Sequence, residues 1–235
     1  MDNISKIRST SIWIFILPLA AINLCLFISV NYEFLNDTIF QVDQIGRSGF
    51  TIPYIDGEVS ISRIARNYPA YLVFKPAMII TAILLIKYWI SNNKLILNIN
   101  NDSTKNKRFL IFGVASALFL IAHSIFLGVH FDYDLYKFFR RFVLLSFIIF
   151  EVIAQSLLVI SIFKIKNKIT EKINEKVLVL KIILVSILVI FAFISLPFLT
   201  KSGHAHLKHA LEWNYFVGII LFYLLSFLFW KKTKT

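Results

Sequence analysis

Cysteine, glycine and acidic residues are scarce in this sequence of 235 residues. Cys25 is the only cysteine, so the chain can form neither an internal disulfide nor a metal site built from several thiolates. None of the 7 glycines forms a Gly-x-x-x-Gly pair within an apolar segment, so helix packing is expected to use larger side chains. Asp and Glu number 13 against 25 Lys and Arg. Because the basic residues lie mainly between apolar segments, where they fix membrane topology, we expect no nucleic-acid partner.

Apolar residues, in contrast, make up 58% of the chain, and 24 of them are Phe. A mean hydropathy of +0.74 is too high for a soluble domain of this size, which could not bury so much apolar surface. Six apolar segments are each long enough to cross about 30 Å of hydrocarbon at ~1.5 Å per residue of helix. We therefore predict an all-α polytopic membrane protein, in which residues 1–235 form a single bundle of six transmembrane helices. The predicted spans are 11–30, 70–90, 109–130, 142–163, 177–199 and 212–230.

An even number of spans places both termini on one side of the membrane. If that side is the cytoplasm, it holds 16 of the 25 Lys and Arg residues, in agreement with the positive-inside rule. The first segment begins like a signal peptide, but it is apolar through Val30 without a small-residue cleavage site, so we expect it to remain as a helix. Lys181, near the inner end of the fifth span, is expected to extend its amine to the headgroups. The longest connection, 31–69, is predicted to be an ordered outer loop over the mouth of the bundle.

The cations predicted on the two sides of the membrane differ in kind. Lys supplies most of those inside, whereas Arg supplies five of the nine outside. A planar guanidinium group grips phosphate or carboxylate through two hydrogen bonds, so the outer side favours anion recognition, with a lipid headgroup phosphate as the expected ligand. The alternative is that these residues form ion pairs with acidic residues of the outer loops. The predicted headgroup-binding residues are Arg47, Arg63, Arg66, Arg140 and Arg141.

Polar residues also occur inside the predicted spans. Glu151 lies near the middle of the fourth span, and Gln155 follows one turn later on the same face. His123 in the third span and Asn23 in the first fall at a similar depth. A carboxyl group in hydrocarbon needs a partner, so we predict a polar cluster of these four residues that handles protons or binds a substrate. The alternative is that they only hold the helices together through hydrogen bonds.

The last outer loop is rich in histidine. If this segment is helical, His206, His209 and Glu212 share one face because they are spaced by three residues. With Asp56 of the long loop, His209 and Glu212 are candidate catalytic acid–base residues, or residues that orient the loop. Metal binding by His204, His206 and His209 is a weaker alternative, because their spacing matches no specific zinc motif. The sequence has no phosphate-binding glycine loop and no dinucleotide fingerprint, so no cofactor is predicted.

Two segments carry a resemblance to a known family. Residues 51–74 begin Thr-Ile-Pro-Tyr-Ile-Asp-Gly-Glu and lead through Tyr68-Pro69 into the second span, and residues 212–230 open with Glu-Trp. They resemble the first outer loop and the last helix of the FRAG/DRAM/SFK family. That resemblance implies a six-helix integral membrane protein linked to GPI-anchor lipid remodelling, autophagy regulation or the control of phosphoinositides and lipid asymmetry. The matching positions are Pro53, Tyr54, Asp56, Gly57, Glu212 and Trp213.

The leading prediction is a membrane protein that binds or remodels a lipid or lipid-anchor headgroup at the outer leaflet, with membrane lipids as its partners. A first alternative is a membrane-embedded hydrolase or acyl-transfer enzyme. Its residues would be the outer His and Asp cluster of His204, His206, His209, Asp132 and Asp134. A proton-coupled transporter is disfavoured because the sequence lacks repeated, broken helices. A non-catalytic protein that binds another protein remains a further alternative, and the sequence names no such partner.

Overall fold

The computed structural model describes residues 3–41, 50–99, 107–129, 134–200 and 203–231. The structure is 84% helical, and its described residues contain no β-strand. The helices are α1 Asn3–Val30, α2 Ile61–Ala65, α3 Ala70–Ile99, α4 Arg108–Phe126, α5 Asp134–Ile169, α6 Glu175–Thr200 and α7 Ala205–Phe229. Six of them, all except α2, are long and apolar enough to cross a membrane. The predicted all-α bundle of six spans is thus confirmed, and the protein is an integral multi-pass membrane protein.

Most helices extend beyond the apolar segments that predicted them. Helix α1 starts eight residues before its predicted span, and α3 continues nine residues past its own. The additional turns contain Lys, Arg and Asn side chains, which suit a helix end in the headgroup region. Helix α4 is shorter than predicted and ends at Phe126, because Gly128 then adopts a left-handed backbone with φ +80°.

The six long helices form a closed ring. Each packs on its neighbours in chain order, α1 on α3, α3 on α4, α4 on α5, α5 on α6 and α6 on α7, and α7 returns to pack on α1. Large apolar side chains such as Trp13, Ile111 and Phe193 are exposed on the outside of this ring. In a membrane such side chains contact acyl chains, so the ring presents an apolar surface to lipid and keeps its polar residues inside.

The two chain ends meet at one end of the ring, here called the terminal face. The Arg8 guanidinium donates a hydrogen bond to the carbonyl of Trp230. Trp230 also forms an isolated antiparallel bridge with Ile173, which lies between α5 and α6. The opposite end, called the loop face, carries the chain between α1 and α3, which includes α2. The structure therefore has both termini on the same side of the bundle, as an even number of spans requires.

Candidate functional site

A central cavity of about 90 Å³ lies inside the ring of helices. Its walls come from α1, α3, α4, α5 and α7, and α2 closes it at the loop face. Most of the lining is apolar, with Ile14, Phe74 and Leu120 as examples. The polar side chains at the cavity are those of Ser62, Thr81, His123, Glu151, Glu212 and Tyr223. The interior is therefore an apolar space with a few polar groups at defined depths, as in many ligand sites.

Glu151 is fully buried and accepts hydrogen bonds at both carboxyl oxygens. Ser116 Oγ of α4 lies 2.5 Å from its Oε2. Its Oε1 accepts from the Tyr223 hydroxyl of α7 and from Gln155 Nε2 at 3.1 Å. Gln155 Nε2 also lies 3.2 Å from the carbonyl of Ile219. This one carboxyl group thus joins three helices across the middle of the bundle.

The predicted polar cluster is therefore brought together only in part. Glu151 and Gln155 are hydrogen-bonded, and His123 lines the same cavity, but Ser116 and Tyr223 are the cross-helix partners of Glu151. Asn23 has other contacts. Its Nδ2 donates to the Leu19 carbonyl at 2.8 Å, and its Oδ1 accepts from the Tyr54 hydroxyl at 3.4 Å. Asn23 thus belongs to the contacts of the loop face. The hydroxyls of Ser and Tyr gave no sequence signal, because both residue types are common in spans.

Lys181 was expected at the headgroups, but the structure buries it inside the bundle. Its side chain is 1% exposed, and Nζ donates to Ser226 Oγ of α7 at 2.8 Å. The amine also lies 4.0 Å from the ring centroid of Phe222 and 5.3 Å from that of Phe229. Aromatic faces attract a cation, and with Ser226 they replace the water that a surface lysine would bind. A lone lysine within an apolar run was the sequence signal for a buried amine.

The loop between α1 and α3 is held on the first turns of α7. Five α7 side chains contact its main chain: His206 at Asp56 O, His209 at Gly57 O, Glu212 at Ser62 N, Trp213 at Val59 O and Asn214 at Tyr54 O. The two His contacts measure 3.2 and 2.9 Å, and each requires the Nδ1–H form, because a carbonyl only accepts. The shared face of His206, His209 and Glu212, from which the sequence predicts an acid–base or metal site, therefore contacts the docked loop.

Gly57 makes this close approach possible. Its φ is +60°, and a Cβ placed there would lie 1.8 Å from the carbonyl oxygen of His206. A residue with a side chain would meet both a steric overlap and an unfavourable backbone conformation. Only glycine therefore lets the loop lie directly against α7.

Asp56 organises the turn that precedes Gly57. Its carboxylate accepts from Thr51 Oγ1 at 2.9 Å, from the Ile52 amide at 2.7 Å and from the Glu58 amide at 2.9 Å. Slight desolvation raises its pKa, but the hydrogen bonds from Glu58, Ile52 and Thr51 and the charge of His206 together lower the pKa below its usual value. Asp56 is therefore a turn-forming carboxylate in the charged state at neutral pH.

The three candidate catalytic residues meet in one region but contact the main chain. Asp56 binds the amides of its own turn, His209 binds the Gly57 carbonyl, and Glu212 binds the amide of Ser62. Within the described ranges, no three His, Cys, Asp or Glu residues are arranged to hold a metal ion. His204 precedes α7 in a left-handed conformation with φ 54°, apart from the docking contacts of His206 and His209. His130 and Asp132, together with the side chain of Asp134, lie outside what the structure describes.

Three of the five predicted headgroup-binding residues come together at the loop face. Burial lowers the pKa of the half-buried Arg66, and the positive charges of Arg140 and Arg63 lower that pKa further. Within the described part of the chain, no carboxylate forms an ion pair with these three guanidinium groups, here called the arginine cluster. Arg141 is exposed beside it, and Arg47 lies outside the described residues. Among the described residues, the alternative of ion pairs with acidic side chains is thus not seen at the cluster.

The fold and the site together define the class of this protein. It is an integral membrane protein with a ring of six helices around a cavity, and a docked loop covers that cavity. Comparisons with protein-family models, with curated proteins and with solved structures gave no match.

Proposed function

We propose that the protein binds the phosphate-bearing headgroup of a membrane lipid at its loop face and receives part of the lipid chain in the central cavity. The observation that carries the proposal is the arginine cluster, in which the positive charges of Arg63 and Arg140 both act on the half-buried Arg66 beside the cavity. Like charges that act on one another in a partly buried position are unfavourable unless an anion joins them. A phosphate group, which guanidinium binds through two hydrogen bonds, supplies the missing charge.

The cluster and the cavity are adjacent. Arg63 directly follows Ser62, which lines the cavity from α2. Arg140 lies near enough to His123 for its charge to act on the imidazole, and His123 lines the cavity from α4. A headgroup bound at the cluster would therefore have its chain directed at the cavity opening. A cavity of about 90 Å³ is smaller than the roughly 300–1,000 Å³ of pockets that enclose a whole small molecule, so it suits only part of a chain.

Two further observations support this proposal. The segments that resemble the FRAG/DRAM/SFK family, 51–74 and 212–230, are the ones that pack against each other at the loop face. The distribution of Lys and Arg favours cytoplasmic termini, which would turn the loop face to the outer leaflet. Chemical remodelling of the lipid by Asp56, His209 and Glu212 is not part of the proposal, because their polar atoms bind the loop main chain.

The test is lipid binding by purified protein in detergent, measured by native mass spectrometry with phosphatidic acid added at increasing concentration. The variant combines Arg63→Gln, Arg66→Gln and Arg140→Gln. A matched control removes the same charge elsewhere through Lys87→Gln, Lys94→Gln and Lys164→Gln, three exposed residues. Because hydrogen bonds to charged groups contribute about 1.5–3 kcal/mol each, we expect at least about a tenfold loss of affinity in the cluster variant only. Equal affinity in wild type and cluster variant, or an equal loss in the control, would refute the proposal.

A further inference from the structure

A second set of buried polar groups lies between the cavity and the terminal face. It begins at Glu151, which accepts a hydrogen bond from the Tyr223 hydroxyl. At its other end, Lys181 Nζ lies 2.8 Å from Ser226 Oγ, and the same oxygen lies 3.0 Å from the Tyr88 hydroxyl. The rings of Tyr88 and Tyr223 contact each other edge to face, with centroids 5.0 Å apart. An acid and an amine are thus linked by hydroxyl groups with a single break, between the two tyrosines.

Two unsatisfied polar atoms lie beside that break. Trp89 Nε1 and Gln155 Oε1 are buried and have no hydrogen-bond partner within the described part of the chain. The Trp89 ring contacts both Tyr88 and Tyr223, with centroids 5.1 and 6.5 Å away, and Gln155 is bonded to Glu151. Buried polar atoms are normally satisfied, often by an ordered water molecule. The unused donor and the unused acceptor near the break are the polar partners that a water molecule joining the two tyrosine hydroxyls would need.

Lys181 has no carboxylate among its hydrogen-bond partners within the described residues. Its amine is surrounded by one hydroxyl and two aromatic rings. Ionisable groups inside a membrane protein are costly and mark functional sites by default. Helix packing alone needs only an apolar side chain at this position. The amine therefore points to a role in what it binds, and the group that its hydroxyl neighbours lead to is Glu151.

We propose that Glu151, Tyr223, Tyr88, Ser226 and Lys181 form a proton-transfer path, which conducts protons across the bundle when its closure at the terminal face is open. In the elementary step, the Glu151 carboxyl group releases a proton to the Tyr223 hydroxyl, and a water molecule at the break accepts the Tyr223 proton and gives one of its own to Tyr88. Ser226 then turns its hydroxyl from the Phe222 carbonyl, which it bonds at 2.8 Å, accepts the Tyr88 proton and passes its own to the lone pair of a neutral Lys181 Nζ. A carboxylic acid and a neutral amine become a carboxylate and an ammonium, with no change in total charge. The inference does not depend on lipid binding at the arginine cluster.

Both ends of the path have defined surroundings. Glu151 faces the cavity, whose other titratable groups are His123 and Glu212. Lys181 lies six residues after the start of α6, about 9 Å from the helix end at the terminal face. Phe229 and Trp230, both buried and in edge-to-face contact, lie at this end of the bundle. Phe229 also lies beside the amine, so its ring is the closure between Lys181 and the water at the terminal face.

The experiment measures proton flux into vesicles that contain the full-length protein, with a trapped pH-sensitive dye and a potassium gradient with valinomycin to drive protons inward. Because Phe229 closes the path, we expect slow flux in the wild type and much faster flux in Phe229→Ala. Into this open background, Lys181→Met, Glu151→Gln and Tyr88→Phe are introduced separately. Tyr88→Phe keeps the ring packing and removes only the hydroxyl. The control is Ser124→Ala, which removes a buried hydroxyl that bonds only its own helix, at Leu120 O.

The proposal predicts that each of the three path variants returns the flux of Phe229→Ala to that of protein-free vesicles, whereas Ser124→Ala leaves it fast. Circular dichroism and gel filtration verify that each variant is folded before it is compared. Flux in Phe229→Ala no faster than in protein-free vesicles would overturn the proposal. So would fast flux that persists without Lys181 or Glu151, because the protons would then cross elsewhere. A loss of flux in Ser124→Ala as well would also count against it, because flux would then follow the integrity of the bundle.

Discussion

The two halves of α7 use their polar side chains differently. In the first half, from His206 to Asn214, side chains bind the main chain of the loop. In the second half, Tyr223 and Ser226 bind other side chains, those of Glu151, Tyr88 and Lys181. Amide and carbonyl groups of the main chain do not titrate, so these bonds of the first half hold the loop in place. The bonds of the second half join side chains that gain and lose protons.

The comparison also shows that residue type and spacing do not reveal a side chain's contacts. His206, His209 and Glu212 have the spacing and residue types of an acid–base or metal site, and in the structure each contacts the main chain of the loop. Tyr223 and Ser226 are unremarkable in an apolar helix, yet they contact the two buried ionisable groups. What a polar residue does in this helix therefore depends on the partner that the fold brings to it.

The largest expected effect falls on the first half of α7. Replacing Gly57 by alanine should detach the loop, because the new Cβ would overlap the His206 carbonyl and φ is +60°. Left-handed backbone and steric overlap together predict a loss of more than about 3 kcal/mol in docking free energy. Hydrogen exchange of the loop amides measures this loss. Gly203→Ala is the matched control, because its φ is +89° and no atom lies within 4 Å of its Cβ position. Equal protection in both variants would show that the close approach does not matter.

The second prediction concerns the buried hydrogen bond between Lys181 and Ser226, which lies in the second half of α7, and compares the loss of each partner. Ser226→Ala should destabilise the protein by about 2 kcal/mol, because it removes the hydroxyl that accepts from the buried amine of Lys181. Lys181→Met should be neutral or stabilising, because it removes the buried amine together with its need for a hydrogen-bond partner and keeps a similar volume. Thermal unfolding in detergent gives both values. If Lys181→Met were the more damaging change, the amine would be a structural element of the bundle.

A smaller loss of stability is expected from a change at Trp213, which lies in the first half of α7, where side chains bind the loop. Trp213→Phe removes the indole donor to the Val59 carbonyl, a bond of 2.9 Å, and should cost about 1–2 kcal/mol. Hydrogen exchange should increase in the loop and stay unchanged around Glu151. Trp13→Phe, at an exposed position on α1, is the control for tryptophan loss. An increase that spread to α5 would mean that the two halves of α7 are coupled.

The smallest expected effect is a pH dependence of the loop. Because the pKa of Asp56 is lowered in the folded state, its contribution is fully present above the usual value of 3.8 and is lost as the pH falls through the lowered pKa. The loop should therefore loosen only in acid, and only slightly, because the carboxylate is exposed to solvent. Trp213 fluorescence during acid titration measures it. Asp56→Asn should flatten that part of the curve, and an unchanged curve would assign the transition to another group.

The sequence was sufficient to predict the six spanning helices, but it did not predict which side chains hydrogen-bond to each other. The apolar segments predicted all six spanning helices, because a stretch of about 20 apolar residues has few alternatives to a membrane helix. The pairing of Glu151 with Tyr223, which are 72 residues apart, depends on how the ring closes and leaves no local trace. Lys181 was assigned to the headgroups because its distance from the helix end allowed both locations. Rotation of α6 about its axis decides between them, and the one local signal, a lone lysine within an apolar run, fits both.

The closed ring has a consequence for synthesis in the cell. Helix α1 is made before the other five long helices of the ring, yet one of its two neighbours in the ring is α7, the last of these six to be made. Until α7 has entered the bilayer, the cavity has an open seam, Glu151 lacks its tyrosine and the long loop has no surface to bind. The early helices must therefore remain in the membrane as an incomplete arc, which makes this stage the one at which a membrane chaperone or quality-control protease would act.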